Sequence, residues 1–285
     1  MKKNIFVPYV LVLVLLCAAA YSLGLRNDLV FDDARLTDGT IFDRYGALWP
    51  IKQRLLSYGS FVWTQVLFGD STAVQRALNW ALHIGAAAAV YMLMRTLLLQ
   101  LKPNDNAEPE ATFRQSQHAA LAVGMVFFLL APAAVYAVGY LVQRAIVMAT
   151  LFSALACWAY VRGLLNHSNR GPAWLVGAFV LYGLAVLSKE QSFLLTAMAL
   201  PLYVYVCRPT LKKALMVSAA SLGVVALGGL LLIQAYPSLL GQYVDDTSRA
   251  LVATAMLATS TGMGRLMPSP SAASISRIPS TNALS

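Results

Sequence analysis

Long runs of residues without charge constrain this chain more than any other feature. Ile5–Leu25, Asn79–Leu99, His118–Ala137, Ala145–Arg162, Trp174–Leu187, Gln191–Val206 and Leu215–Ala235 are apolar almost throughout. A hydrocarbon layer of ~30 Å takes about 20 residues of apolar helix, because lipid offers the backbone no hydrogen-bond partner and a helix supplies its own. Charged residues make up 12% of the sequence and hydrophobic ones 59%, whereas a water-soluble domain carries about 25% charge. The sequence therefore predicts an all-α membrane protein, a polytopic helical bundle with about seven transmembrane helices. The run from Trp174 is short and needs Gly171-Pro172-Ala173 or Ser188 to complete it. Phe61–Phe68 is too short to cross and is expected to lie in the interface or to enter partway. A weaker stretch around Leu251–Leu266 is not counted.

Ile5–Leu25 follows Met1-Lys2-Lys3-Asn4 but is long, and no small-x-small cleavage site precedes a soluble domain, so a retained anchor is expected. With the N-terminus cytoplasmic, the inner segments hold Lys2, Lys3, Arg95, Lys102, Arg114, Arg162, Arg170, Arg208, Lys212 and Lys213, against Asp105, Glu108 and Glu110 as their only acids. The outer segments balance their charges. The excess of Lys and Arg near span ends marks the cytoplasmic side. It also accounts for the net charge of +9 without a nucleic-acid partner. The domain reading is a transmembrane domain over residues 1–250, with a large first outer loop at 26–75, and a Ser/Pro/Ala-rich tail at 251–285 that lacks apolar periodicity and reads as disordered. Cys17, Cys157 and Cys207 lie in apolar segments without metal-ligand spacing. No GxxxxGK[ST], GxGxxG, HExxH or CxxC occurs, so nucleotide hydrolysis and structural zinc have no support, and no repeat of 20–50 residues is visible.

In this topology the unusual polar residues gather at the outer face. Asp32-Asp33 falls just after the first span. A carboxylate at a low-dielectric boundary suits a general base, and a pair also suits a divalent cation; solvated loop residues are the plainer reading. Arg76, Asn79, Trp80 and His83 follow i, i+3, i+4, i+7 and share one helical stripe. Arg76 and Trp80 fit an interfacial anchor, while Asn79 and His83 reach deeper and need polar partners. Pro132 is expected to kink or end its helix. Gln143-Arg144 opens the next span, where an arginine fork suits phosphate or simply marks the boundary. Lys189-Glu190 sits in a turn with almost no spacer; Lys189 suits phosphate, and Glu190 is expected to pair with Lys189 or Arg144.

Taken in order, the acidic pair Asp32-Asp33, Asn79-Trp-Ala-Leu-His83, Gln143-Arg144 with Leu151-Phe152 downstream, and Leu187-Ser-Lys189-Glu190 resemble the multi-pass GT-C glycosyltransferases that use polyprenyl-phosphate sugars. The likeness is to the branch holding TMTC-type protein O-mannosyltransferases and bacterial pilin glycosyltransferases, and it covers about residues 5–210. It implies a lipid-linked sugar donor entering from the membrane and a periplasmic protein, pilin among them, or glycan as acceptor. It also implies Asp32 or Asp33 as the base, and Arg144 and Lys189 on the donor phosphate, with Arg76, Asn79, His83, Gln143 and Glu190 in support. Family members usually continue into further spans and often an outer domain. On that pattern the tail Met267–Ser285 is expected to be a truncated or frameshifted end, leaving the catalytic half.

The sequence thus points to an inner-membrane glycosyltransferase with its active face periplasmic. No cofactor is identified, and no metal ligands are assigned, although the acid pair leaves a divalent ion open. The rival is a transporter or flippase for a lipid-linked or anionic solute. Such a protein favours internal repeats and helices broken at the midplane, whereas the polar residues here concentrate at one face.

Overall fold

The fold is that of a computed structural model of the full chain, which describes residues 6–26, 29, 33–47, 51–101, 109–166 and 170–235. Among these residues every regular element is helical. The expected tail at 251–285 and the acid Asp32 lie outside them.

Each apolar run is a helix. In chain order they are α1 (Phe6–Ser22), the short α2 (Ala34–Thr37), α3 (Thr40–Tyr45), α4 (Leu55–Phe68), α5 (Thr72–Leu98), α6 (Glu110–Leu130), α7 (Pro132–Gly139), α8 (Arg144–Leu165), α9 (Gly171–Ser188), α10 (Ala199–Cys207) and α11 (Leu211–Ala235). Among the described residues four helical stretches are long and apolar enough to cross a membrane: Thr72–Leu98, Leu141–Leu165, Gly171–Ser188 and Glu190–Cys207. A fifth results if α6 and α7 are one span, bent by 50°. The bend falls where Pro132 removes a backbone donor and its ring crowds the preceding turn. The short run at Trp174 is completed at both ends, by Gly171-Pro172-Ala173 and by Ser188. Large apolar side chains on these helices face outward: Phe127 is 71% exposed, Phe179 75% and Leu194 72%. Water disfavours such a surface and hydrocarbon does not.

α5 and α8 run side by side in the same direction. Arg144 meets Asn79 toward the start of both, Leu151 lies against Gly85 farther along, and Trp158 Nε1 donates to Thr96 Oγ1 at 3.2 Å toward the far end. α6 returns antiparallel to α5, with Gln117 on the Leu98 carbonyl at 2.8 Å and His83 beside the Leu129 carbonyl. α9 doubles back on α8. There Gly163 lets the helices close: a β-carbon at that position would meet Leu175 Cδ2 at 2.6 Å. α1 packs its Leu13, Cys17 and Tyr21 against Ala87, Met125, Leu129 and Val138.

Residues Glu190–Met198, ahead of α10, are wound as a 3-10 helix. Ser192 N–H donates to Lys189 O and Ala199 N–H to Thr196 O, one residue short of the α pattern. Pro201 in the first turn of α10 bears on this. It has no N–H for the Ala197 carbonyl, and its ring crowds that oxygen, so the turn before it cannot close as regular α-helix. Nine residues of 3-10 winding is long for a helix type used mostly in runs of three or four.

Candidate functional site

Two polar constellations occupy the end of the bundle where α5 and α8 begin. The first is a sealed knot. Position 75 lies one turn before 79 on α5, so Gln75 and Asn79 share a stripe. On α4 the residues Ser57, Ser60 and Thr64 form a polar stripe in an otherwise apolar helix, and all three are buried. Arg144, first residue of α8, enters between these stripes and is fully buried. Its Nε donates to Asn79 Oδ1 at 2.6 Å, one Nη to Ser60 Oγ at 3.1 Å, and the other Nη to Gln75 O and Oε1 at 2.8 and 2.7 Å. The guanidinium carbon stands 3.7 Å from the Phe61 ring centroid. Among the described residues its hydrogen-bond partners are all neutral. A buried cation is tolerated when every donor is used and a ring face spreads the charge. Asn79 completes the tie with its amide directed at the Val138 and Leu141 carbonyls.

Asp33 joins the knot from the first loop. It too is fully buried, and its carboxylate accepts from Leu141 N–H at 3.3 Å and Val142 N–H at 2.9 Å. These are leading amides of the 3-10 turn Leu141–Gln143 that runs into α8. An anion is favoured at that end of a helix, where amides lack partners and the dipole is positive. Asp33 therefore fastens the first loop to the entry of α8.

The second constellation is a clasp open to solvent. Arg54, at the head of α4, donates from Nε and Nη2 to the two oxygens of Glu190 at 3.0 and 2.6 Å, and from Nη1 to Tyr58 Oη at 3.0 Å. Beside it Ser57 Oγ donates to the Ser188 carbonyl at 2.8 Å. Together these bonds hold α4 against the α9 end. The Glu190 hydrogen bond drives the Arg54 pKa further up. Lys189 is half-buried, and its ammonium is pushed down by burial and by Arg54, against the opposing pull of Glu190. From Lys189 a groove of about 470 Å³ follows α8, lined by Ile146, Ala149, Thr150, Ser153, Ala154 and Cys157 on that helix and by Gln191, Ser192, Leu195 and Met198 opposite.

The remaining expected residues are placed as follows. His83 is stacked on Phe128 with ring centroids 5.3 Å apart and is edge-on to Tyr21, so it serves inter-helix packing. Arg76 is 4% exposed and donates to the Leu25 carbonyl at 3.2 Å, so it does not reach outward as an interfacial anchor. Gln143 Nε2 donates to Tyr136 Oη at 2.9 Å. Three expectations change. Arg144 is committed to protein acceptors and is out of reach of a phosphate. Asp33 is an anchor whose oxygens accept from backbone amides. Glu190 pairs with Arg54, not with Lys189 or Arg144. Gln75, Ser60, Ser57 and Arg54 were missed in the sequence. A signal existed for Gln75, one turn from Asn79, and for the serines in their i, i+3 spacing. None existed for Arg54, which stands among other loop cations.

Among the described residues no group of three or more His, Cys, Asp or Glu side chains is placed to hold a metal ion. No family model, curated protein or solved structure matches this chain.

Proposed function

We propose that this protein is a membrane glycosyltransferase that moves a sugar from a polyprenyl-phosphate donor to a periplasmic protein, pilin among the candidates, or to a glycan. The observation that carries the reading is the groove beside α8. Its walls are mainly small and apolar, it runs along helices that face lipid, and a lysine stands at its head. An isoprenoid tail matches the walls and a phosphate matches Lys189. In this reading the protein has about seven spans, a cytoplasmic N-terminus and a periplasmic active end, in keeping with the basic inner loops.

Asp33 fixes the first loop to α8. We assign Asp32 as the general base. The acceptor hydroxyl gives its proton to that carboxylate as its oxygen forms a bond to the anomeric carbon. The bond from that carbon to the phosphate oxygen breaks, and the electron pair leaves with the lipid phosphate. Lys189 offsets the charge that develops there, a service of the kind that dominates many transfer reactions. The sealed knot around Arg144 keeps the loop, α5 and α8 in register, and positioning on that scale governs rate.

The test is purified protein in lipid with polyprenyl-phosphate-linked sugars and a periplasmic extract, scoring sugar transfer. Transfer is expected, with Asp32→Asn slowing it about 10²–10⁴-fold, the usual cost of a lost general base. Absence of transfer with every donor, together with movement of lipid-linked sugar across the bilayer by the reconstituted protein, would overturn the reading in favour of a transporter.

A further inference from the structure

Arg54 presents an anion-binding fork that the sequence reading did not use. Both nitrogens of its Nε–Nη2 edge engage the two oxygens of one carboxylate, and Tyr58 Oη accepts from the third nitrogen. The guanidinium is thereby fixed in the planar orientation that suits carboxylate and phosphate alike. Its backbone is held at φ 57° and ψ 27°, the left-handed region that a residue with a β-carbon seldom adopts. Strain of this sort persists where surrounding contacts impose it, and it clusters at ligand clamps. Exposure separates Arg54 from Arg144. The Arg54 and Glu190 side chains are 30% and 35% exposed, so water and an incoming anion reach the pair, whereas Arg144 is sealed. Glu190 directly follows Lys189, the residue at the head of the groove, so two cations flank one carboxylate there.

We propose that Arg54 is a second ligand for the phosphate of a lipid phosphomonoester whose tail lies in the groove, and that Glu190 occupies the Arg54 fork until that phosphate arrives. Resting on the glycosyltransferase reading for the identity of the lipid, this adds a closed state of the site. A phosphomonoester carries ~1.5–2 negative charges near neutral pH and three acceptor oxygens. It therefore offers the fork more than a carboxylate does, and it engages Lys189 at the same time. Glu190 holds the fork by two charge-assisted bonds, so it yields only to an anion that offers more, as a phosphate shared with Lys189 does. The clasp also fastens α4 to the α9 end. Its exchange loosens α4 from the α9 end while the lipid phosphate left by sugar transfer is held.

The experiment is equilibrium binding of a polyprenyl phosphate in nanodiscs, with inorganic phosphate as a parallel probe. Glu190→Gln empties the fork of negative charge and is expected to tighten polyprenyl-phosphate binding about 3- to 10-fold, while Arg54→Gln weakens it about 10-fold or more, the usual reach of one bidentate charge-assisted contact. Arg54→Lys keeps the charge without the fork and should fall between. It carries the test, with Glu190→Gln, if Arg54→Gln fails to fold. Inorganic phosphate should show the same ordering at much weaker affinity. Equal affinity for inorganic phosphate would refute the lipid source. Unchanged or weaker lipid binding in folded Glu190→Gln would overturn the placeholder role and leave only a structural clasp. Sugar transfer in the same samples keeps the two readings apart. Binding without transfer in the unaltered protein counts against the enzyme alone, and transfer without tighter binding in Glu190→Gln counts against this inference alone.

Discussion

Removing Arg144 should cost this protein stability before it costs anything else. Arg144→Ala strips the donor from Asn79 Oδ1, Ser60 Oγ, Gln75 Oε1 and the Gln75 carbonyl, all of them buried. Each buried acceptor left without a donor costs about 1–3 kcal/mol. The Asn79 and Gln75 amides are able to turn, whereas the backbone carbonyl is not, so relief is partial. The expected loss is about 3–5 kcal/mol, the sum for the acceptors that stay unpaired. Asn79→Ala should cost about 2 kcal/mol, since its partners include two carbonyls and the Arg144 Nε. Because the two residues share one bond, the double variant should be less destabilised than the sum by about 1–3 kcal/mol. The assay is reversible unfolding in mixed micelles followed by tryptophan fluorescence. Wild-type stability in Arg144→Ala, or strict additivity of the two costs, would refute the knot as described and return Arg144 to a ligand role.

Other outcomes follow from the same geometry. Asp33→Ala should lower stability by about 1 kcal/mol, as loss of a capping acceptor at a helix start does, while Asp33→Asn retains an acceptor and should lose less; equal melting of both variants with the parent would count against the anchor. Gly163→Ala should destabilise by about 1 kcal/mol, the low end of overpacking, because the new methyl meets Leu175, whose exposed side chain has room to turn; melting equal to the parent would contradict it. For orientation, Ser57 is sealed against Ser188 and is unsuited to labelling. Single cysteines at the exposed Asp43 and Ser116 should react from opposite sides of the membrane, the first from the periplasm, and reaction from one side would refute the topology.

How much of this was legible in the sequence depends on the range of the interaction involved. The helical class was legible because lipid imposes one rule on every residue of a crossing helix; of the about seven spans expected, four to five are long and apolar enough among the described residues. Completion of α9 at Gly171 and Ser188 and the break at Pro132 follow from local chemistry in the same way. The need of Asn79 for buried polar partners was visible from its place on the stripe. Which partners it takes was not, because Arg144, Gln75 and Ser60 arrive from three helices whose crossing the apolar pattern leaves open. The Arg54–Glu190 clasp joins residues 136 positions apart, and no spacing rule reaches that far. Arg144 misled because an arginine at a helix start looks the same whether it faces a ligand or a sealed set of neutral acceptors.

The 3-10 stretch Glu190–Met198 also bears on bilayer thickness. Nine residues at a rise of about 2.0 Å span ~18 Å, against ~13.5 Å at the α-helical rise. With α10 the eighteen residues Glu190–Cys207 reach about 31 Å, where a uniform α-helix would stop near 27 Å. Hydrocarbon cores average ~30 Å and differ between membranes by a few Å. Because Pro201 bars a regular α-turn across Ala197, the stretch keeps its longer rise, and Leu195 and Met198, which line the groove, stay spread along a length close to the hydrocarbon thickness.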